Sequence, residues 1–193
     1  MVAERRVLVF FGMIATGKSY LAEAWARHHS CAYYNSDRVR KELAGLAPES
    51  RQPAPVNQGI YRPELSRATY DKLLEMAERE LEVIPHSCVV LDGSYQARDE
   101  RERVRKRLMA KARLLFVHCL CPEEVMRERM EQRQQDPLAV SDGRWEIYLQ
   151  QKARFEMPIE LGPEQLLTIN TNQPVDALLG ILDEWIGRLP VVA

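Results

Sequence analysis

A lysine and a hydroxyl group directly follow a glycine-rich segment near the start of the chain. The sequence GMIATGKS, residues 12–19, separates Gly12 from Gly17 by four residues and continues with Lys18 and Ser19. Glycine tolerates backbone angles that a side chain resists, so successive N–H groups of such a loop can point into one concavity. With an ammonium group and a Mg²⁺-binding hydroxyl at its end, this spacing is typical of a loop that binds nucleotide phosphates.

The segments on both sides of the loop have the pattern that phosphate binding requires. Residues 7–11 are a continuous apolar run, as in a strand that is covered on both faces. After residue 18, apolar residues recur at helical spacing, which predicts a helix whose N-terminus faces the loop. The alternative, a plain glycine turn between strand and helix, leaves the lysine and serine without a purpose. We predict that ATP binds to Gly12, Met13, Ile14, Ala15, Thr16, Gly17, Lys18, Ser19 and Tyr20.

Strand-like and helix-like segments alternate along the rest of the chain. This alternation predicts an α/β domain in which helices cover both faces of one parallel sheet. Further strands are predicted at 31–35, 88–91, 114–120 and 166–170. Helices are predicted at 36–43, 63–81, 98–111, 122–133, 145–155 and 175–188. Within them, Ser36 and Asp37 are predicted to form a helix cap, and residues 100–107 a solvated charged surface. Residues 48–62 contain three prolines and one glycine, which predicts a long loop that we expect to bind the acceptor.

Composition excludes several classes of protein. The chain has 193 residues, 46% of them hydrophobic, which is typical of a single folded domain at 1–193. No apolar stretch reaches the ~20 residues of a membrane span, so we expect a cytoplasmic protein without a membrane partner. A formal net charge of -1 provides no general attraction for polyanions and disfavours nucleic acid as a partner. The four cysteines lack metal-ligand spacing and are predicted to be reduced core residues.

Two carboxylates lie where predicted strands end. Asp37 follows the second strand, at the edge where open α/β sheets bind ligands, and would be ionised at neutral pH. It could therefore align an acceptor hydroxyl and take its proton, although helix capping is the simpler interpretation. Asp92 ends the third strand and could hold Mg²⁺ together with Ser19, or bind substrate. Capping is again the alternative, and Arg98 is a weaker candidate for substrate binding.

Two arginines lie on one face of the predicted helix at 122–133. Arg129 and Arg133 are four residues apart and precede the segment QQDPLAVSDG. Guanidinium groups on a closing lid, near residues 129–144, would stabilise a transferring phosphoryl group and exclude water. The alternative is that both arginines form exposed ion pairs with neighbouring glutamates.

The chain resembles the phosphate-loop (P-loop) kinase superfamily, an AAA-type ATP-binding group. The likeness is to small kinases related to polynucleotide 5'-hydroxyl kinases, chloramphenicol phosphotransferases and zeta-type toxins. It covers nearly the whole chain through GMIATGKS, NSDRVRKELAG, VVLDGSY and CPEEVMRERMEQR. It implies a three-layer P-loop NTPase fold with a five-stranded parallel sheet in the order 2-3-1-4-5 and a helical lid.

The resemblance also implies roles for individual residues. The aspartate that matches Asp37 is the base in polynucleotide kinases, and the arginine that matches Arg40 contacts substrate. Arg129 and Arg133 match lid arginines, and residues 170–173 would pass near the adenine. We therefore expect an ATP- and Mg²⁺-dependent phosphotransferase acting on a hydroxyl of a sugar, an antibiotic or a nucleotide-sugar. The sequence leaves open a polynucleotide 5'-hydroxyl kinase, a toxin, or a nucleotide-dependent switch without an acceptor, as well as ATP or GTP preference and the oligomeric state.

Overall fold

Five parallel strands form one sheet in the order β2-β3-β1-β4-β5, which confirms the expected topology. The computed structural model describes residues 5–47, 59–84, 87–135 and 145–190, without the side chains of 133–135. Within these ranges the strands are β1 (Arg6–Phe11), β2 (Ala32–Asn35), β3 (Cys88–Asp92), β4 (Arg113–Leu120) and β5 (Leu166–Asn170).

Seven α-helices occur in the described residues, and the predicted ones are all present. They are α1 (Lys18–His28), α2 (Ser36–Leu43), α3 (Pro63–Val83), α4 (Arg98–Leu108), α5 (Glu123–Gln135), α6 (Trp145–Arg154) and α7 (Val175–Arg188). A short 3-10 helix, Gly59–Tyr61, precedes α3 and belongs to the predicted loop at 48–62. The rest of that loop, 48–58, and residues 136–144 of the predicted lid lie outside the described residues.

Alternate residues of β1 supply two separate apolar cores. Val7, Val9 and Phe11 face a core that includes side chains of α3 and α4. Leu8 and Phe10 face the opposite core, which contains side chains of α1 and α7. All five side chains are fully buried, as expected for a central strand whose successive residues point to opposite faces. The sheet is therefore the middle of three layers.

A smaller apolar cluster supports the phosphate-binding loop from outside the sheet. Ala15 of that loop packs with Met126 and Met130 of α5 and with Tyr148 of α6, all of them buried. The loop is therefore tied to the helices that flank residues 136–144. No helix in the described part of the chain is both long and apolar enough to cross a bilayer. The four cysteines are free thiols.

Two local expectations were wrong. The cap of α2 is Asn35, whose side-chain oxygen accepts from the amides of Asp37 and Arg38, both at 3.0 Å, so Ser36 begins the helix. The charged stretch at 100–107 is not uniformly solvated, because the side chain of Arg101 is 0% exposed. Its Nε donates to Glu160 Oε1 at 2.6 Å, a pairing that compensates the burial of both charges.

Candidate active site

A cavity of about 530 Å³ opens at the carboxyl ends of β1, β2 and β3. In an open parallel sheet this edge is where ligands bind. The cavity contains many of the residues singled out in the sequence. Those are Ile14, Lys18, Ser19, Asp37, Arg40 and Asp92.

The phosphate-binding loop connects β1 directly to α1. Gly17 caps α1 with φ +79°, and Gly12 has φ +144°, both angles that favour glycine. A Cβ on Gly12 would lie 2.5 Å from the carbonyl oxygen of Cys119, so the loop also requires close approach to β4. Thr16 fixes the loop from within, because its hydroxyl donates to Met13 O at 2.8 Å. Lys18 and Ser19, in the first turn of α1, face the cavity.

Asn35 links the two candidate carboxylates. Its oxygen caps α2 and thereby fixes the start of the helix that carries Asp37. Its amide nitrogen donates to Asp92 Oδ2 at 2.5 Å, and the hydroxyl of Tyr33 donates to the same oxygen at 2.8 Å. Burial, together with the neighbouring Asp92 carboxylate, raises the pKa of Tyr33, so that hydroxyl remains a donor. Asp92 and the α2 N-terminus are therefore held in a fixed relation.

Asp92 leaves one oxygen for a ligand. The residue is fully buried and lines the cavity, yet its Oδ1 has no hydrogen-bond partner among the residues that the structure describes. A buried carboxylate oxygen without a partner is costly unless a ligand satisfies it. Ser19 offers a hydroxyl to the same cavity. Two hard oxygen ligands of this kind fit Mg²⁺, which retains most of its waters and takes few protein ligands.

Asp37 and Arg40 form an ion pair at the cavity wall. Arg40 NH1 donates to Asp37 Oδ1 at 2.7 Å, with 8% of the arginine side chain and 34% of the aspartate side chain exposed. The Arg40 guanidinium also lies 5.0 Å from the centre of the Tyr61 ring, which belongs to the short 3-10 helix. Asp37 is therefore accessible to a substrate and is held by a cation.

One face of α6, which the sequence analysis did not select, lines the cavity. Ile147, Gln150, Gln151 and Arg154 follow the spacing i, i+3, i+4, i+7 and all face it. Gln151 reaches the phosphate-binding loop, where its Oε1 accepts from the amide of Ile14 at 2.7 Å. Helical spacing in the sequence could have grouped these residues, but it could not have placed them opposite the loop.

Among the described side chains, the cavity lining does not include Arg129, Arg98 or Tyr20. The Arg129 guanidinium contacts the loop and the residue that follows β5: its NH1 is 3.4 Å from Ala15 O, and its NH2 donates to Thr171 O at 3.2 Å. Arg133 belongs to α5, and its side chain lies outside the described residues.

Arg98 and Tyr20 also lie apart from the cavity. Arg98 borders a separate depression with Glu156 and Ile159, and its amide donates to Glu156 Oε2. Tyr20 is 67% exposed on α1. The structure thus brings Lys18, Asp37 and Asp92 together, but it does not bring these two residues to them.

The helices α3 and α4 supply a wall that the sequence analysis also missed. Arg67 and Tyr70 come from α3, and Glu100 and Arg103 come from α4. Burial raises the pKa of the Glu100 carboxyl despite a hydrogen bond from the Ala97 amide. Arginines and glutamates in a charge-rich helix give no sequence signal for a cavity, because such residues usually face solvent.

Comparison with known proteins identifies a family for most of the chain. The sequence profile of a family described as AAA domain, AAA_33, matches residues 7–158. No significant match was found among curated proteins.

Solved kinase structures share the fold. A sugar kinase from Janibacter sp. HTCC2649 superposes with a TM-score of 0.65 at 18% identity, over 95% of each chain. A gluconokinase from Sinorhizobium meliloti 1021 gives 0.60 at 19%, over 97% of this chain and 94% of the other. An APS kinase from Mycobacterium tuberculosis, in complex with AMPPNP and APS, gives 0.64 at 16%, over 95% and 98%. The chain therefore belongs to the family described as AAA domain, AAA_33, and shares its fold with these kinases.

Proposed function

We propose that the protein is a kinase that transfers the γ-phosphoryl group of ATP to a hydroxyl group of a small molecule. The observation that carries this proposal is that Lys18, Asp92 and Asp37 share one cavity. A phosphate-binding group, a candidate Mg²⁺ ligand and an accessible carboxylate are the parts that phosphoryl transfer requires. The kinases with the same fold include enzymes named for sugar, gluconate and shikimate substrates, which supports a small acceptor.

The nucleotide phosphates would bind to the loop at 12–19. Loop amides and the positive end of α1 attract the phosphate oxygens, and Lys18 adds a full positive charge. Ser19 and Asp92 would hold Mg²⁺, which neutralises phosphate charge when it is bound. Ser19 is in the first turn of α1, and Asp92 ends β3, where Tyr33 and Asn35 hold its Oδ2 in place.

Asp37 would prepare the acceptor. Its Oδ1 is held by Arg40, which leaves Oδ2 to accept a hydrogen bond from the acceptor hydroxyl. The acceptor oxygen bonds to the γ-phosphorus as the bond from that phosphorus to the bridging oxygen of ATP breaks. ADP leaves, and the hydroxyl proton passes to Asp37.

Arg154 and Gln151 would cover the reacting phosphoryl group from α6. Arg154 lines the cavity and is on the same helical face as Gln151, which already contacts the loop. A guanidinium group here would compensate charge that develops on the phosphoryl oxygens and would help to exclude water. Arg133 and residues 136–144 stay predictions of lid function.

A screen of γ-phosphate transfer tests the proposal. ³²P-labelled ATP and Mg²⁺ would be offered with sugars, sugar acids, nucleosides, aminoglycosides, phenicols and 5'-hydroxyl oligonucleotides. We expect one class of small molecules to be labelled, and Asp37→Asn to lower kcat by about 100-fold or more while ATP binding persists. Asp176→Asn, which alters a carboxylate in the first turn of α7, is the matched control. Full activity of Asp37→Asn would contradict the role of base.

Two other functions give different results in the same screen. A nucleotide-dependent switch would bind ATP and label no acceptor. A polynucleotide kinase would label only the 5'-hydroxyl oligonucleotide. Near-neutral overall charge argues against the latter, because a phosphate-binding channel needs a dense basic surface.

A further inference from the structure

Three helices each contribute an arginine to the lining of the cavity that contains Asp37. Arg40 comes from α2, Arg67 from α3 and Arg103 from α4. Building on the proposed function, we infer that the acceptor is a small hydroxylated acid, whose carboxylate or phosphate group binds among these three guanidinium groups. Arginine suits this task because its planar fork matches the oxygens of either group.

The ion pair with Asp37 satisfies only part of the buried guanidinium group of Arg40. Only 8% of its side chain is exposed, and Asp37 accepts from NH1 alone. Its Nε is buried and has no hydrogen-bond partner in the described part of the chain. A buried cationic N–H that lacks an acceptor is costly, so a ligand that brings negative charge to this wall stabilises the arrangement.

Arg67 and Arg103 approach the same face of α3. Arg103 NH2 donates to Asp71 Oδ1, and Asp71 is one helical turn after Arg67. Within the described residues Arg67 forms no hydrogen bond or ion pair, and its exposed side chain can swing without disturbing the core. Of the three arginines, Arg67 is therefore the one whose positive charge is least engaged by carboxylates of the described residues, so it is the most available to a ligand anion.

The carboxylates near these arginines are paired with a cation, hydrogen-bonded to the backbone or exposed to water. Asp37 is paired with Arg40 and faces the hydroxyl that reacts. Glu100 accepts from the Ala97 amide, and burial raises the pKa of its carboxyl. Asp99 is exposed at the start of α4, where water screens its charge. An anion near Arg67 therefore meets less repulsion than the number of carboxylates suggests.

Uncharged polar groups on the same wall suit hydroxyl groups. Gln96 lines the cavity, and its buried Oε1 accepts no hydrogen bond within the described ranges. Ser94 and Tyr70 share a hydrogen bond of 2.8 Å between their hydroxyls and also face the cavity. A polyhydroxylated acid can donate to Gln96 while its acidic group binds the arginines. The volume of about 530 Å³ is enough for a ligand of sugar size beside nucleotide phosphates.

Acceptors that are similar in structure but differ in charge test the inference. D-gluconate would be compared with D-glucose, D-glucosamine and D-glucose 6-phosphate, and shikimate with its methyl ester, in a γ-phosphate transfer assay. We expect the best acceptor of each set to be anionic, with kcat/KM about 10-fold or more above its neutral counterpart. Gluconate and glucose 6-phosphate distinguish a carboxylate from a phosphate as the group that is recognised.

Arginine variants separate the inference from the proposed function. Arg67→Gln should reduce the anionic preference to about 3-fold or less, mainly by raising KM for the acid. Arg79→Gln, on the same helix but away from the cavity, should keep it. Preference for neutral or cationic acceptors, or an unchanged preference in both Arg67→Gln and Arg103→Gln, would overturn the inference alone. ATP binding without transfer to any compound would overturn the proposed function as well.

Discussion

Gln151 Oε1 accepts a hydrogen bond from the amide of Ile14 at 2.7 Å, so α6 directly occupies a donor of the phosphate-binding loop. Phosphate oxygens bind to loop amides of this kind. The carboxamide oxygen therefore has the same hydrogen-bonding role that a nucleotide oxygen would take. Binding of ATP and the contact with α6 should compete for this amide.

Removal of this carboxamide should strengthen ATP binding. In Gln151→Ala the amide of Ile14 is free, and one neutral hydrogen bond corresponds to about a 5-fold lower Kd for ATP. The same variant should have a lower kcat, because Gln151 no longer helps to cover the bound phosphoryl group. Calorimetry with a nonhydrolysable ATP analogue measures the first effect and steady-state kinetics the second. Leu149→Ala, an exposed position of α6 away from the cavity, should change neither by more than about 2-fold. Weaker ATP binding in Gln151→Ala would contradict the competition.

Loss of the Asp92 charge should change the response to Mg²⁺ rather than the fold. In Asp92→Asn the side-chain oxygen can still accept from Tyr33 and Asn35, while an amide nitrogen takes the place of the unpartnered Oδ1. We expect the Mg²⁺ concentration for half-maximal velocity to rise about 10-fold or more. ADP binding in EDTA should persist, because a negative charge near the phosphates has been removed. Asp99→Asn serves as the control, and an unchanged Mg²⁺ requirement in Asp92→Asn would exclude Asp92 as a ligand.

The strands and the loop could be predicted because their signals are local. The apolar run at 7–11 and the glycines that follow it determine a strand, a turn and a helix start within about 20 residues. Sheet order is different, since it depends on pairing between distant strands. Here it followed from the resemblance to P-loop kinases and not from periodicity.

The walls of the site could not be predicted because they depend on distant contacts. The hydrogen-bonded residues Gln151 and Ile14 are 137 positions apart in the sequence. The buried ion pair of Arg101 and Glu160, outside the cavity, likewise joins residues 59 positions apart. Neither pair has a spacing that a helix or strand would reveal. For Arg129 the helix could be predicted from the sequence, but the contacts of the side chain could not. The guanidinium contacts Ala15 and Thr171 instead of lining the cavity.

Gly12 has a backbone angle that favours glycine and also lies close to the backbone of β4. Addition of a single methyl group at this position should therefore have a large effect. A Cβ there would lie 2.5 Å from Cys119 O, and φ +144° is unfavourable for alanine. Gly12→Ala should lower the free energy of unfolding by about 2–3 kcal/mol and weaken ATP binding. Gly180→Ala on α7, where nothing lies within 4 Å of the new Cβ, should instead raise it by about 0.5–1 kcal/mol. Urea unfolding of both variants provides the comparison, and equal effects would contradict this view of the loop.

His118 should make the fold sensitive to mild acid. Its ring is stacked between Phe11 and Phe155, with ring centres 4.8 and 5.1 Å away, and it is 3% exposed. Burial, assisted by the positive charge of Arg101, lowers its pKa from 6.5 to about 4. The unfolded chain therefore binds a proton that the folded chain rejects between these two values. The stability that comes from burying the neutral His118 imidazole is fully present above pH 6.5 and is lost as the pH falls toward 4.

Replacement of the imidazole isolates this contribution. His118→Phe keeps an aromatic ring between Phe11 and Phe155 but has no proton to bind. Relative to that variant, the wild-type protein should lose roughly 2–3 kcal/mol of unfolding free energy between pH 7 and pH 4.5. Urea unfolding of both proteins at the two pH values measures this difference, and titration of the many exposed carboxylates cancels in it. A difference below about 0.5 kcal/mol would mean that the folded protein protonates His118 as readily as the unfolded chain does.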